Sequence, residues 1–443
     1  MPEKKITVVG GGLAGSEAAW QAAERGIDVL LYEARPLLKN GAHVTSDLAE
    51  IVCSNSLGSN DRYSAPGLLK DELRQLGSLI VRTADRHAVP AGSALAVDRE
   101  KFSDEITKKI QSHPRIRLIR EEIRGVPAER PVVIATGPLT SPSLAESIGR
   151  VTESGRLFFF DAISPIVDAD TIDSSVAFRA SRYDKSGADY LNCPMTEEEY
   201  HRFYRALIEG EKVEPKSFEK CDYFEGCMPV EVLAERGMQT LLFGPMKPVG
   251  LTDPRSGKRP FAVVQLRQEN RHGSCYNMVG FQTKLKYGEQ KRIFRMIPGL
   301  HHAEFLRLGS LHRNTFIHAP SLLNPSLELK RSPGLFFGGQ LTGVEGYVES
   351  AATGMLAGLN AALWLAGDPP SIPPDTTAVG SLIRYLTDPN HGPGFQPMNI
   401  NFGLFPPLPE VAKEKELRKR KFVDRALEDL QRWISRSSLL KTI

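Results

Sequence analysis

Lys4-Lys5-Ile6-Thr7-Val8-Val9-Gly10-Gly11-Gly12-Leu13-Ala14-Gly15-Ser16-Glu17-Ala18-Ala19 is the stretch whose reading decides the fold. An apolar run enters a glycine turn and leaves as an alanine-rich helix, so the segment reads as strand, turn and helix. The glycines have separate tasks. Gly10 permits the tight turn, Gly12 lets a pyrophosphate approach the backbone, and Gly15 lets helix and strand pack closely. The helix N-terminus offers unpaired N–H groups and a positive dipole end to the phosphates. Gly10, Gly11, Gly12, Leu13, Ala14 and Gly15 are therefore the expected phosphate cradle. Gly11 stands at a position that varies in such loops and puts nothing in doubt.

A second apolar run, Ile27-Asp28-Val29-Leu30-Leu31-Tyr32, ends in Glu33. An acidic residue about 20 positions past the glycines suits a ribose hydroxyl and argues against a 2′-phosphate on the nucleotide held there. The motif alone leaves FAD and NAD both open. Farther along, Pro131-Val132-Val133-Ile134-Ala135-Thr136-Gly137 reads as a buried strand turning past a cofactor. Leu335-Phe336-Phe337 reads as another strand, Gly338-Gly339-Gln340-Leu341-Thr342-Gly343 as a glycine turn, and Tyr347 to Leu365 as a helix rich in small residues. A strand, glycine turn and close-packing helix at the far end can complete a site begun at the N-terminus. That layout is typical of folds that hold an extended FAD across two separated halves.

The chain has 443 residues, 41% hydrophobic and 25% charged, which suits an ordinary globular protein of two or three domains. It opens on a strand rather than a leader, and no apolar run reaches the roughly 18 residues of a membrane helix, so a cytoplasmic location is the default expectation. The five cysteines, Cys53, Cys193, Cys221, Cys227 and Cys275, are odd in number and contain no CxxC pair. A disulfide framework and a zinc centre are both disfavoured, no metal site is expected, and reduced thiols follow.

The net charge of +3 is unevenly spread. Residues 261–320 carry nine Lys/Arg against Glu269, Glu289 and Glu304, a local balance of +6. Tyr276, Phe281, Tyr287 and Phe294 are interleaved with these cations, the combination that RNA contact by phosphate pairing and base stacking requires. Binding through such a segment should weaken steeply with salt. A second cluster runs from Lys413 to Arg425.

Between the two glycine motifs, Ser46 to Val52 and Gly67 to Leu76 are expected as helices. From Phe158 to about Pro320 no βαβ rhythm is evident; Thr196 to Ile208 reads as helix, and Thr240 to Phe243 and Phe261 to Leu266 as strands. The expected class is α/β: a Rossmann-like FAD-binding domain with a discontinuous parallel sheet and a mixed α+β insertion. Its parts are 1–160 and 321–443, the latter with a helical tail, around an inserted domain at 161–320.

Eight separated blocks add up to a family. They are Val8 to Ala18, Glu50 to Leu57, Val89 to Arg99, Phe224-Glu225-Gly226-Cys227-Met228-Pro229, Gly280-Phe281-Gln282-Thr283, His312-Arg313-Asn314-Thr315, Gly334 to Ala362, and Gln396 to Gly403. The chain resembles the folate- and FAD-dependent tRNA (uracil-5-)-methyltransferases, the TrmFO type, over essentially its whole length. It is more distantly similar to flavoproteins that modify the wobble uridine of tRNA.

The resemblance implies transfer of a methylene group from 5,10-methylenetetrahydrofolate to C5 of uridine 54 in the tRNA T-loop. Reduced FAD would supply the reducing equivalents, and NADH or NADPH would reload it. Uracil C5 is a poor nucleophile, so a thiolate must first add to C6, and a second group must later remove the C5 proton. Cys53 and Cys227 stand in matching motifs. Cys53 is expected as nucleophile and Cys227 as the assisting thiol, with the reverse order the alternative. Gly10 to Gly15 would cradle the FAD phosphates, Glu33 would hold its ribose, and Gly339, Gln340, Leu341, Thr342 and Gly343 would approach its flavin end. Arg267, Gln268, Asn270, Arg292, His312 and Arg313 are candidates for folate or RNA contacts. The rival readings are an FAD oxidoreductase of a small amine or acid and a non-catalytic RNA-binding flavoprotein. Neither a membrane nor a stable protein partner is implied.

Overall fold

The computed structural model describes residues 5–38, 42–153, 157–184, 187–213, 228–392, 395–409 and 414–436. Lys5–Val9 is a strand, Leu13–Ala23 a helix and Asp28–Glu33 the next strand, as the opening motif dictates. Five strands make a wholly parallel sheet in the order Leu335–Phe337, Val132–Ile134, Lys5–Val9, Asp28–Glu33, Ile116–Arg120. The central strands are continuous apolar runs because helices cover both faces of a parallel sheet. The outermost strand comes from the far end of the chain, with Leu335 opposite Val132 and Phe337 opposite Ile134. The nucleotide-type sheet is therefore built from two distant segments.

The Leu13–Ala23 and Tyr347–Ala366 helices cross on their small residues. A Cβ added at Gly354 would lie 2.2 Å from the Ala14 carbonyl oxygen, and one at Gly358 only 2.4 Å from that of Ala18. Backbone touches backbone here, which explains the run of Gly and Ala in the second helix. One apolar core, including Val8, Leu31, Val133, Phe336 and Leu356, joins both chain segments.

Between them lies a six-stranded antiparallel sheet in the order Phe178–Ala180, Tyr190–Met195, Ala262–Gln268, Cys275–Met278, Ile166–Asp168, Phe305–Arg307. Alternation along its strands sends Cys193, Val264, Leu266, Tyr276 and Met278 to a second apolar core with Tyr200 and Phe203 of the Glu197–Glu209 helix. A reciprocal Thr196–Glu199 capping box starts that helix. The opposite face carries Tyr190, Asn192, Gln265, Arg267 and Asn277, which register brings side by side. This polar face is also covered, and its groups bond among themselves and to the first part of the chain: Gln265 Nε2 donates to Asn192 Oδ1 at 2.9 Å and Tyr190 Oη to Ala91 O at 2.9 Å.

Three local expectations need correction. Residues 46–52 form no helix: Ala49 has φ 52, and Leu48 and Ala49 give their N–H groups to Thr107 Oγ1 and Gly11 O, which leaves no helical ladder. Thr240–Phe243 is one helical turn rather than a strand, closing on Gly244. In the 261–320 segment Tyr276, Phe281 and Phe294 are core residues and cannot stack on bases; only Tyr287 of the four is exposed. Their spacing serves packing of the inserted sheet against its helices.

Candidate functional site: two clefts with a common wall

The first cleft runs along the carboxyl ends of the parallel strands. It is lined by Gly10 to Ala14, Glu33 to Arg35, Thr136 to Ser141, Gly339 and Gln340. Gly10 takes φ +103, and a Cβ there would meet Ala135 O at 2.6 Å. At Gly15 a Cβ would lie 1.7 Å from Gly10 O, so this glycine is required by strand–helix packing and does not itself line the cleft. Gly12 is different: a Cβ there meets nothing within 4 Å. It precedes the first helical turn without a side-chain cap, leaving the helix N-terminus to the cleft.

Gly11 has a task that the sequence reading missed. Its N–H donates to Glu33 Oε2 at 2.8 Å, and a Cβ would press on Leu48 Cδ2 at 2.5 Å. Glu33 Oε1 accepts from the Arg35 N–H at 2.9 Å and Nε at 3.0 Å, and Oε2 accepts a weaker bond from Arg35 Nη2 at 3.3 Å. Burial pushes this carboxyl up, but Arg35 and the Gly11 N–H outweigh it and hold it below the usual carboxylate range. Glu33 is thus an anion that buttresses the glycine loop while facing the cleft.

At the far-end motif, Gly339 takes φ +76, and its N–H donates to Thr353 Oγ1 at 2.9 Å. Gly339 and Gln340 reach the cleft. Leu341 and Thr342 are fully buried and Gly343, at φ +90, packs on Phe395, so these three support the turn from behind.

The second cleft holds Cys53. Its walls include Ala42, Ser54, Ser56, Ile163, Gln282, Asn314, Glu345, Glu349 and Asn399. Val52, Pro138, Leu139, Gln340 and Tyr347 line both clefts. Tyr347 is the hinge of this arrangement. Its Oη accepts the N–H of Cys53 at 2.9 Å and of Ser54 at 3.2 Å, tying the thiol's loop to the start of the small-residue helix. Burial and the neighbouring Cys53 raise the Tyr347 phenol, so it stays protonated. Tyr347 carried a usable signal, a polar aromatic directly after Gly346 at a helix start. Cys53 Sγ lies 3.6 Å from Ala162 O.

The inserted sheet grips the same loop. Arg267 Nε donates to Asn55 Oδ1 at 2.8 Å and Nη2 to Ser54 Oγ at 2.6 Å, while Asn55 Nδ2 donates to Gln268 O at 2.9 Å and Val97 O at 3.0 Å. Arg99 Nη1 donates to Ile51 O at 2.7 Å and Nε to Glu269 Oε2 at 2.9 Å. Cys53 counts among the groups acting electrostatically on Arg99, Arg267 and Arg307. Of the sequence candidates, Arg267 and Gln268 therefore hold the loop, Asn270 bonds Ser274 and Cys275, and Arg292 is an exposed partner of Glu289.

The other thiols separate sharply. Burial pushes Cys193 up to about 12 and Cys275 up to about 11, so neither is a nucleophile near neutral pH. Cys221 and Cys227, and the side chains of His312 and Arg313, lie outside the described residues. The described residues begin again at Met228, and Val230 N–H donates at 2.7 Å to the carbonyl of Gln282, a wall of the Cys53 cleft. Among the described residues no group of three His, Cys, Asp or Glu could hold a metal ion, and no helix is long and apolar enough to cross a membrane.

Comparison with known proteins agrees with this geometry. The family model "Glucose inhibited division protein A" matches residues 5–369. A methylenetetrahydrofolate–tRNA-(uracil-5-)-methyltransferase TrmFO of Heliobacterium modesticaldum is 59% identical over 99% of this chain and 100% of its own length. That of Geobacter sulfurreducens is 58% identical over 97% of this chain and 99% of its own. Among solved structures, Aquifex aeolicus GidA aligns with TM-score 0.70 at 18% identity, covering 99% of this chain and 74% of that one, which speaks to the fold alone. With near end-to-end identity at this level, the chain belongs to the TrmFO family of methylenetetrahydrofolate–tRNA-(uracil-5-)-methyltransferases, within the wider glucose-inhibited division protein A group.

Proposed function

We propose that this protein forms 5-methyluridine in the T-loop of tRNA, at position 54, taking its carbon from 5,10-methylenetetrahydrofolate. The observation that carries the reading is the shared wall: Cys53, the described thiol that lines the second cleft, opens beside the dinucleotide-type cleft across Val52, Pro138, Leu139, Gln340 and Tyr347. A carbon acceptor bound at Cys53 would thus adjoin a redox group in the first cleft.

FAD fits the residues present. An uncapped helix N-terminus opens at Gly12, Gly10 and Gly11 line the cleft without side chains while their own N–H groups bond Tyr32 O and Glu33, and an anionic Glu33 stands past the glycines. Gly12, Leu13 and Ala14 would hold the phosphates. A ribose hydroxyl would replace the weak 3.3 Å bond from Arg35 Nη2 on Glu33 Oε2, and Gly339 and Gln340 would border the flavin end. When bound and reduced, FAD supplies the electron pair that converts the transferred methylene into a methyl; NADH or NADPH would restore it.

The rest is the work of the chain. Cys53 Sγ forms a bond to uracil C6, and the C5–C6 π pair moves toward O4 as an enolate. C5 then bonds the methylene carbon as one of its two bonds to folate nitrogen breaks, the pair staying on that nitrogen. A base removes the C5 proton, and the freed pair forms a C5=CH2 double bond as the second carbon–nitrogen bond breaks and tetrahydrofolate leaves. A hydride equivalent delivered to that CH2 makes the methyl, moves the double bond to C5–C6 and expels Cys53 as thiolate. We assign the proton transfer to Cys227, the reverse order of the two thiols being the alternative. Tyr347 and Arg267 hold the Cys53 loop while this happens. The domain reading of 1–160 and 321–443 around 161–320 is supported by the two separate apolar cores, and a cytoplasmic setting belongs to the same reading.

The test is to incubate purified, yellow protein with unmodified tRNA, methylenetetrahydrofolate and NADH, then digest the RNA and look for ribothymidine. Its absence refutes the proposal. Trapping on 5-fluorouridine RNA assigns the thiols: Cys53→Ala should abolish the covalent complex and Cys227→Ala should retain it.

A further inference from the structure

Three guanidiniums lie around the Cys53 loop, and two of them bond it directly. Arg267 is 6% exposed and uses its donors on Ser54 and Asn55. Arg99 is paired with Glu269 and bonded to Ile51 O. Arg307, at the end of the Phe305–Arg307 strand, is in a different state. It is largely withdrawn from solvent, yet its side chain donates one hydrogen bond, from Nη2 to Ala42 O at 3.0 Å, and no carboxylate among the described residues is within ion-pair distance of it.

Arg307 does not itself line the Cys53 cleft, but it adjoins residues that do. Ala42 is a wall of the Cys53 cleft, and so is Ile163, which leads into the strand whose Ile166 pairs with Arg307. Burial and Arg99 push the Arg307 guanidinium down, while Tyr347, Cys53 and Glu50 push it up. Glu50 cannot serve as its counterion, since Arg35, Thr45 and the Val44 N–H already occupy it. A guanidinium has five N–H donors. One donor is on Ala42 O and no other Arg307 nitrogen is stranded in the interior, so the rest of this half-buried guanidinium reaches water, where an anion from outside can take its place. The planar fork suits a phosphate, which it can take with two parallel bonds.

We propose that Arg307 is an anion-binding residue beside the Cys53 cleft and takes a phosphodiester oxygen of the RNA strand that carries the target uridine. Every nucleotide brings such a group within one sugar of its base, and it is the part of the substrate whose charge is permanent. The inference rests on the tRNA reading above and adds to it the residue that seats the backbone. Of the cations in the +6 segment whose side chains are described, it singles out the half-buried one that adjoins the Cys53 cleft and has no carboxylate partner.

The experiment compares full-length, FAD-loaded wild type with Arg307→Ala, Arg307→Lys and, as control, Arg150→Ala, an exposed position paired with Glu146 on a surface helix. Filter binding of unmodified tRNA is measured across a salt series, alongside kcat and the KM for each substrate. Loss of one phosphate contact should weaken tRNA binding roughly tenfold in Arg307→Ala and make the slope of log affinity against log salt shallower by about 0.7 to 0.9. Arg307→Lys should keep the slope and recover part of the affinity, and the KM for methylenetetrahydrofolate should not move. Unchanged affinity and slope overturn the proposal. So does a loss confined to kcat at saturating tRNA, which would put the cation on the reacting base, or one confined to the folate KM, which would put it on the folate carboxylates. If Arg307→Ala loses its FAD or does not fold, Arg307→Lys decides alone: binding equal to wild type overturns the proposal, and weaker binding with the salt slope kept supports it. Ribothymidine formation by the wild type is the separate test of the underlying function.

Discussion

Gly12 and Gly15 lie three residues apart in one motif, and the structure predicts opposite consequences for the same substitution. Gly12 has φ −74 and ψ −168, a conformation open to any residue, and an added Cβ meets nothing within 4 Å. Gly12→Ala should leave the stability of the apoprotein unchanged within about 0.5 kcal/mol. The new methyl occupies the space through which a pyrophosphate reaches the helix N-terminus. A phosphate oxygen bonded to a backbone N–H sits about 2.9 Å from the nitrogen, whereas carbon and oxygen need well over 3 Å between them. Loss of two charge-assisted hydrogen bonds at about 1.5–3 kcal/mol each would weaken FAD binding by about 3–6 kcal/mol, or roughly 10²- to 10⁴-fold. Gly15→Ala meets Gly10 O at 1.7 Å, a backbone atom that cannot move without opening the strand–helix turn, so its apoprotein should be strongly destabilised. The assay strips the flavin, records thermal unfolding of each apoprotein, and titrates FAD by the quenching of its fluorescence. A Gly12→Ala protein with wild-type melting and wild-type FAD affinity would refute the placement of the pyrophosphate at Gly12.

Two further outcomes follow from groups near the clefts. Tyr347→Phe removes the acceptor of the Cys53 and Ser54 N–H groups, so covalent trapping on 5-fluorouridine RNA should slow at least about tenfold while FAD content stays at the wild-type level, given about 1–3 kcal/mol per stranded donor; an unchanged trapping rate would show that the loop holds itself. Lys70 is fully buried, and burial lowers it to about 8, against the ordinary value near 10.5 in the unfolded chain. Between these values the unfolded state binds more protons, so this group makes stability rise with pH from about 8 to 10.5 and contributes no slope below pH 8. Lys70→Met should flatten that rise by up to about 3 kcal/mol in denaturant melts at pH 7.5 and 10, and equal slopes in the two proteins would count against the assignment.

Legibility followed the range of the interactions. The Gly10–Gly15 turn, the Val132–Ile134 and Leu335–Phe337 strands and the Tyr347–Ala366 helix could be read because each is specified by neighbours a few positions away. Residues 46–52 looked helical and are not, since Leu48 and Ala49 exchange local bonds for Thr107 and Gly11. Tyr276, Phe281 and Phe294 looked like a stacking surface because spacing cannot tell which face of a sheet is covered. Cys53 could be singled out by its motif, but the reason its loop stands still, Tyr347 from 294 positions away and Arg267 from 213, could not.

By itself the sequence determined that a dinucleotide-type strand–turn–helix opens the chain, that a matching motif closes it, and, through eight ordered blocks, which family it joins. Those are statements about backbone conformation and residue identity, which short windows encode. The tertiary structure alone decided that Leu335–Phe337 lies beside Val132–Ile134, that Gly11 is locked by Glu33, that two clefts share Tyr347 as a wall, and that Arg307 has no carboxylate partner among the described residues while Arg99 and Arg267 bond the Cys53 loop. Which charges are satisfied depends on groups hundreds of residues apart meeting in a low-dielectric interior, and no local pattern records that.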